Sequence, residues 1–346
     1  MSETRTPRQA RKTVLVTGAT SGIGRLLVEE LVKRYNVRVI LRKPPSAHAE
    51  WKELPSGVSV FVVDIASNSE KDRGAIFDAC KGASIMFHLA AATRNYSYRY
   101  ANERMDTKMM INTNVIGTEN VLQAFADANP DAKLRFIYAS SVAVYGNRRG
   151  DEVLTEDSEP MPRSAYSESK YMAEQVVKAF ASARNRITYT ILRIAVVYGD
   201  GYDSSFMRVF KMIKERKLRY VGSGTNHITL ISVDDVVRAM IKVMDAPKSG
   251  NKVYNLTDGV RYTQKMLFQN AAKLLGAPSP AKSIHPFLAR IGARTRGMDQ
   301  EEFNFLVSDR IISIEKIKRE VGFRPAVDND IAFKELADRF LSTYKK

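Results

Sequence analysis

One cysteine, Cys80, occurs among 346 residues. A lone thiol excludes an intramolecular disulfide framework and a multi-cysteine zinc site, and no metal is expected. It also fits a reducing, cytoplasmic setting. Glycine (19) and proline (12) are too sparse for a collagen-like chain. No apolar run reaches the ~18 residues of a membrane span, so no transmembrane segment is expected. The N-terminal MSETRTPRQARK lacks the apolar stretch of a secretory signal, and residues 1–11 read as a disordered basic arm. No internal repeat or low-complexity segment is visible. Carboxylates are also short: 54 Lys+Arg against 38 Asp+Glu give +16. Such a charge admits a nucleic-acid partner, but zinc-finger spacing, RRM-type aromatics and basic-region heptads are all missing, so none is expected.

The excess is uneven. Residues 201–300 hold 17 Lys+Arg and 7 Asp+Glu, a net +10. The densest run, Lys211, Lys214, Arg216, Lys217 and Arg219, lies on a helical pattern with Phe206, Val209, Phe210 and Ile213 on the apolar side. It reads either as a solvated helix face or as a positive potential near an anionic ligand.

Hydrophobic residues at 44% and charged residues at 27% describe a globular chain. Strand patterns at Thr13–Thr17, Val37–Leu41, Val58–Val63, Ser84–Leu89, Leu134–Ala139 and Thr188–Ile194 alternate with helical patterns near 22–34, 70–81, 110–127 and 165–183. The strands are apolar on both faces, as in VLV and VSVFVV, which predicts an α/β doubly wound parallel sheet. Beyond about residue 200 helices dominate: near 204–217, 233–245, 263–275, 313–321 and 329–343. We therefore expect a sheet domain over 12–200, with a later strand near 252–256 returning to it, and a mostly helical lobe over 201–346.

The first strand runs into Thr17-Gly18-Ala19-Thr20-Ser21-Gly22-Ile23-Gly24 and then an amphipathic helix. Strand, glycine loop and helix in that order define a Rossmann-type dinucleotide fingerprint. Gly18 turns the chain, Gly22 lets backbone approach a pyrophosphate, and Gly24 allows close helix–strand packing. Thr20, Ser21 and Ile23 complete the loop, whose helix N-terminus offers N–H groups to phosphates. The second strand ends in Arg42-Lys43 with no carboxylate for a ribose 2′-hydroxyl. These cations favour the 2′-phosphate of NADP(H), with NAD(H) as the alternative.

Tyr166 and Lys170 stand at i, i+4 on one helix face. Ser140-Ser141 closes the fifth strand at the end where open parallel sheets bind ligands, 25 residues before Tyr166.

Taken in order, the chain resembles an extended short-chain dehydrogenase/reductase. The matching stretches are the glycine loop, Asp64-Ile65, His88-Leu89-Ala90-Ala91, Asn114-Val-Ile-Gly-Thr118 and Ser140-Ser141…Val144-Tyr145-Gly146. They continue through Tyr166…Lys170, Leu192-Arg193…Val197-Tyr198-Gly199, Ile231–Val236, Tyr254-Asn-Leu256 and Val321-Gly-Phe-Arg-Pro325. The Gly18-xxx-Gly22-x-Gly24 spacing is that of the one-domain branch. The resemblance implies Tyr166 as acid/base. Its ordinary pKa near 10 would be lowered by the Lys170 ammonium. Lys170 would also bond the nicotinamide ribose, and Ser141 the substrate oxygen. Asp64 and Ile65 would flank the adenine, and Leu89, Ala90 and Ala91 would line the cofactor path. Val196 would pass the nicotinamide. Asn114 divides between cofactor contact and a structural clamp. His88 reads as a buried strand-end histidine. A homodimer through the helices near 110–127 and 165–183 is a family expectation.

For the reaction, Val142-Ala143 stand where dehydratases carry an Asp-Glu pair, and Ile228 stands where nucleotide-sugar epimerases carry a diphosphate-gripping arginine. The expectation is thus an NADP-dependent aldehyde or ketone reductase acting on a small-molecule substrate. This places the chain nearer to 3β-hydroxysteroid dehydrogenases and dihydroflavonol-type reductases than to nucleotide-sugar dehydratases. The alternative is an NAD(P)-dependent nucleotide-sugar 4-epimerase. Intact Ser141, Tyr166 and Lys170 argue against a catalytically silent NADP sensor. The aromatics of Tyr96–Asn102 are expected to overhang the site or to pack as a loop. The stretch 283–308, with His285, Phe287, Leu288, Phe303 and Phe305, is expected to pack into the core, a substrate lid being the alternative.

Overall fold

The computed structural model describes residues 11–48, 55–93, 103–148, 151–202, 204–295, 300–307 and 309–344. Most of the expected basic arm and the whole of 96–102 lie outside them.

The first half alternates strand and helix: β1 (Thr13–Thr17), α1 (Gly22–Leu31), β2 (Asn36–Leu41), β3 (Val58–Val62), α2 (Glu70–Cys80) and β4 (Ala83–His88). Then come α3 (Glu103–Ile111), a turn of π-helix over Asn112–Ile116, α4 (Gly117–Asp127), β5 (Leu134–Ser141), β6 (Val153–Leu154), α5 (Ala165–Ser182) and β7 (Ile187–Ile194). The second half carries β8 (Val196–Tyr198), α6 (Ser204–Lys214), β9 (Tyr220–Val221), β10 (His227–Ile228), β11 (Leu230–Ser232), α7 (Val233–Asp245) and β12 (Lys252–Leu256). It closes with β13 (Tyr262–Thr263), α8 (Gln264–Leu274), β14 (Ser283–Ile284), α9 (Pro286–Thr295), α10 (Gln300–Val307), β15 (Ile311–Ile312), α11 (Glu315–Val321) and α12 (Asn329–Thr343).

Seven parallel strands form the central sheet in the order β12-β7-β5-β4-β1-β2-β3. This is the Rossmann-type α/β architecture expected, and β12 returns to the sheet edge beside β7. Apolar side chains leave both faces of each inner strand because successive residues point oppositely. Val14 and Val16 join one core with Leu27 and Leu31 of α1 and Val236 and Met240 of α7. Leu15, between them, joins the other with Ile76 of α2, Phe125 of α4 and Val177 of α5. A third core fills the space among α6, α8 and α12 with Phe210, Phe268 and Phe340.

Two expected helices differ. The pattern near 110–127 starts at Glu103 and is interrupted by the π turn. Gly117 follows it, and a Cβ there would stand 3.0 Å from the Ile65 side chain, so the helix lies hard against the sheet end. The stretch 283–308 splits into β14, α9 and α10, with Pro286 opening α9 where a missing N–H costs nothing. Core packing is corrected for α9, where Phe287 and Leu288 are 65% and 55% exposed, while Leu306 of α10 does join the third core. The side chain of Phe305 lies outside the described residues.

The sheet sets the site. The chain runs outward from β1 through β2 and β3, then returns to β4 on the opposite side of β1. The crevice beyond the C-terminal ends of β1 and β4 is where such sheets bind ligands.

Candidate active site

At the end of β1 the chain turns through Gly18 at φ +72°, and a Cβ there would stand 2.5 Å from the Ala90 amide nitrogen. Both conformation and space therefore require glycine. Ser21 caps α1: its Oγ accepts from the Gly24 N–H at 3.1 Å and donates to the Gly18 carbonyl at 2.9 Å. A Cβ on Gly24 would stand 2.3 Å from that same carbonyl oxygen, so the third glycine permits the close packing expected of it.

Gly22 also lies against a second segment. A Cβ there would meet the Asp200 carbonyl oxygen at 2.6 Å and the Tyr202 ring at 2.7 Å. The Tyr202 hydroxyl lies beside the Ser21 side chain and the Ile23 backbone. Arg25 on α1 pairs with Asp200. The segment after β8 thus clasps the glycine loop, turning through Gly199 (φ +106°) and Gly201 (φ +80°). Sequence reasoning missed Tyr202; its signal was the Gly199-Asp-Gly201 spacing, which frees the chain to fold back. Thr20 is half-buried in the same loop.

Arg42 and Lys43 are exposed immediately beyond β2. Asp64, also exposed, accepts the Ala66 N–H at 2.9 Å, while Ile65 is buried. The Leu89 N–H donates to the Thr17 carbonyl and the Ala90 N–H to the Thr17 hydroxyl, both at 3.2 Å. This ties the β4 exit, including half-buried Ala91, to the glycine turn. Val196 is half-buried in β8, paired with Leu230 of β11. Gly18, the α1 N-terminus and the β4 exit form a cradle at the crevice where such sheets hold a dinucleotide, and within it the Gly24 N–H is taken by Ser21 Oγ.

Asn114, on the π turn, is 1% exposed. Its Oδ1 accepts the Ala92 N–H at 2.7 Å, and its Nδ2 donates to the Ala92 carbonyl at 3.0 Å and to Ser169 Oγ at 2.8 Å. It clamps the β4 exit to α5. His88 is fully buried between Thr17 (2.7 Å to Nδ1) and Thr118 (2.9 Å to Nε2). The Thr118 hydroxyl already donates to the Asn114 carbonyl at 2.6 Å, so it accepts from Nε2–H. Burial, and then the Lys170 charge, push the His88 pKa down to about 3, so the ring stays neutral.

Ser141 is the last residue of β5, and its Oγ accepts the Ala143 N–H at 3.1 Å. Tyr166 is the second residue of α5. A capping box fixes that helix start: Ser164 Oγ accepts the Ser167 N–H at 3.1 Å, and Ser167 Oγ accepts the Ser164 N–H at 3.0 Å. One turn on, Lys170 is 3% exposed. Its Nζ donates to the Ala139 carbonyl at 2.7 Å and lies 4.7 Å from the Tyr138 ring centre. Burial pushes its pKa down to about 7, against the upward pull of Glu174. Burial, with the negative charges Tyr166 and Glu174 can carry, holds the Tyr138 phenol well above its usual range.

The Lys170 shift has a sign. Between pH ~7 and ~10.4 the folded state holds Lys170 neutral while the unfolded state protonates it. The unfolded state then binds more protons, so stability rises with pH across that window and is flat below it. Urea midpoints of the cofactor-free protein are expected to climb from pH 7 to 9 relative to Lys170→Met; parallel curves would contradict this.

One turn beyond Lys170 on α5, Glu174 is fully buried and takes a bidentate pair from Arg193, with Nε to Oε1 at 3.0 Å and Nη2 to Oε2 at 2.8 Å. Ser140 Oγ donates to the same Oε1 at 2.6 Å. Arg193 Nη1 donates to the Tyr145 hydroxyl at 2.9 Å, and that hydroxyl donates to Asn255 Oδ1 at 2.7 Å. This network joins β5, α5, β7 and β12. Its signal in the sequence was Leu192-Arg193, whose buried partner no spacing reveals.

A cavity of about 330 Å³ opens beside the Ser141 loop and the α5 start, lined by Ala143, Ser164 and Phe303 and by Arg163, Arg290 and Arg310. Ile228, by contrast, is 1% exposed inside the third core and presents no surface to a ligand. Among the described residues no His/Cys/Asp/Glu cluster suits a metal, and no helix is long and apolar enough to cross a membrane.

The glycine loop on a Rossmann-type sheet is the arrangement of a nicotinamide-dependent enzyme of the extended short-chain dehydrogenase/reductase type. The profile of the NAD dependent epimerase/dehydratase family matches residues 14–257, and the chain belongs to that family. It is 25% identical over 337 residues to a Vibrio cholerae UDP-glucose 4-epimerase, covering 96% of this chain and 97% of the relative. It is 26% identical over 282 residues to an Escherichia coli O157:H7 N-acetyl-α-D-glucosaminyl-diphospho-ditrans,octacis-undecaprenol 4-epimerase, covering 81% and 77%. A solved structure of MoeE5 with UDP-glucose and NAD matches with TM-score 0.72 and 26% identity over 95% of this chain and 99% of that one. The Streptomyces venezuelae dehydratase DesIV, at 20% identity and TM-score 0.75, shares the fold.

Proposed function

We propose that this chain is a nicotinamide-dependent 4-epimerase acting on a sugar joined to a diphosphate. The observation that carries this reading is the cavity at the start of α5, lined by Ser164 and Ser167, with Arg163, Arg290 and Arg310 on its walls. Three guanidiniums suit a phosphorylated substrate and have no use for a neutral ketone. The reductase expectation rested on Ile228 replacing a phosphate-gripping arginine, and the cavity supplies cations from other positions. The names of both relatives place a diphosphate beside the sugar.

In this reading residues 201–346 form the substrate lobe. Tyr166, as phenolate, takes the proton of the sugar hydroxyl and later returns it. Lys170, in its protonated form, favours the phenolate, and Ser141 donates a hydrogen bond to the same oxygen as charge develops there. The cofactor, when bound, accepts hydride from the carbon and gives it back. Conversion of UDP-sugars without net change in NAD(P)H supports the reading; reduction of aldehydes or ketones with stoichiometric NADPH loss, and inert UDP-sugars, would overturn it.

Arg42 and Lys43 favour NADP over NAD on charge grounds, whereas NAD stands in the titles of the solved relatives. We expect NADP to bind more tightly, with Arg42→Ala cutting that preference by about tenfold, the scale of one charge-assisted contact. Equal NAD and NADP affinities in both proteins would refute the assignment. A homodimer through α4 and α5 belongs to the same reading, and sedimentation velocity checks it.

A further inference from the structure

The outward face of α9 is apolar. Phe287, Leu288 and Ile291 are 65%, 55% and 49% exposed, and their i, i+1, i+4 spacing puts them on one sector of the helix. Soluble proteins seldom leave three large apolar neighbours open to water without a partner for them.

The surroundings of that face are basic. The stretch 259–298 carries seven Lys+Arg and no Asp or Glu. The fold adds a second basic segment to it. β9 and β14 pair in parallel, with the Tyr220 N–H donating to the Lys282 carbonyl at 3.0 Å and the Gly222 N–H to the Ile284 carbonyl at 2.9 Å. Exposed Arg216, Lys217 and Arg219, just before β9, are thereby brought beside exposed Lys282, just before α9. The stretch is bounded by Asp258 and Asp299, with Glu301 and Glu302 on the neighbouring α10, and Lys217 is paired with Glu215 at 2.8 Å.

An apolar sector rimmed by cations is the surface of a helix that lies in the plane of a membrane interface. A second copy of this chain is a poor occupant, since two +16 molecules would meet through their most basic faces. We propose that α9 and its basic surround dock this protein on an anionic phospholipid bilayer, with Phe287, Leu288 and Ile291 entering the headgroup boundary and Lys282, Arg219 and Arg216 facing lipid phosphates. This accounts for the local charge excess that a sugar substrate alone does not need, and it is independent of the reaction assigned above.

Cosedimentation of the full chain with phosphatidylglycerol–phosphatidylcholine vesicles, against pure phosphatidylcholine, tests it. We expect at least about tenfold stronger partitioning to the anionic vesicles, lost at high salt. Replacing the three apolar residues together (Phe287→Ser, Leu288→Ser, Ile291→Ser) should lower partitioning about tenfold with the thermal midpoint unchanged, since these side chains are exposed. Lys282→Glu with Arg219→Glu should do the same through charge alone. Equal binding to both vesicle types, no binding, or a concentration-dependent dimer that the triple variant abolishes without any vesicle binding would each overturn the proposal.

Discussion

Tyr166→Phe lowers kcat by about 10²–10⁴-fold, the range of general acid–base catalysis, and leaves cofactor affinity unchanged. The substitution removes one oxygen from the second residue of α5. The capping box of Ser164 and Ser167 does not involve the phenol, so the helix start stays in place. Lys170 keeps its bond to the Ala139 carbonyl. What is lost is the group we propose exchanges a proton with the substrate hydroxyl. Turnover by the variant within threefold of wild type, measured by stopped assay beside fluorescence titration of the cofactor, would remove Tyr166 from its assigned role.

Glu174→Ala destabilises the protein by about 3–5 kcal/mol, because it strands the Arg193 guanidinium, 2% exposed, without its counter-charge. Burial acts against that charge, and Glu174 with the Tyr145 hydroxyl holds the Arg193 pKa above its usual range. Removing the carboxylate also releases Ser140 at the β5 end, next to Ser141. Replacing both partners, as in Glu174→Leu with Arg193→Met, should cost less than Glu174→Ala, since no buried charge is left behind. Urea midpoints read the difference, and a double variant less stable than the single one would contradict this account of the pair.

The sheet was legible because its signal is strong: β1 and β12 match the expected bounds to the residue, and two-sided apolar strands have few other uses. The bounds of α7 and α12 were legible for a similar reason, each being opened by a capping side chain, Ser232 or Asp328. The paired segments β6, β8, β9, β10, β11, β13, β14 and β15 went unseen, since two or three residues carry no period. The Gly18 turn was legible from local order along the chain, as were the places of Ser141 at the end of β5 and of Tyr166 and Lys170 on α5. Tyr202 on the glycine loop, Glu174 beneath Arg193, and the three arginines of the cavity depend on segments far apart in sequence. Those arginines changed the reading of the reaction, because the sequence offered one position, Ile228, and the fold buries it.

The most direct measurement follows hydrogen at the reacting carbon. A UDP-hexose deuterated at C4 is incubated with catalytic amounts of the cofactor-loaded protein and read by NMR. The account predicts a 4-epimer that retains the deuterium, with no NAD(P)H accumulating in solution. Deuterium lost to solvent, deuterium recovered on free NAD(P)H, or no epimer at all would contradict it.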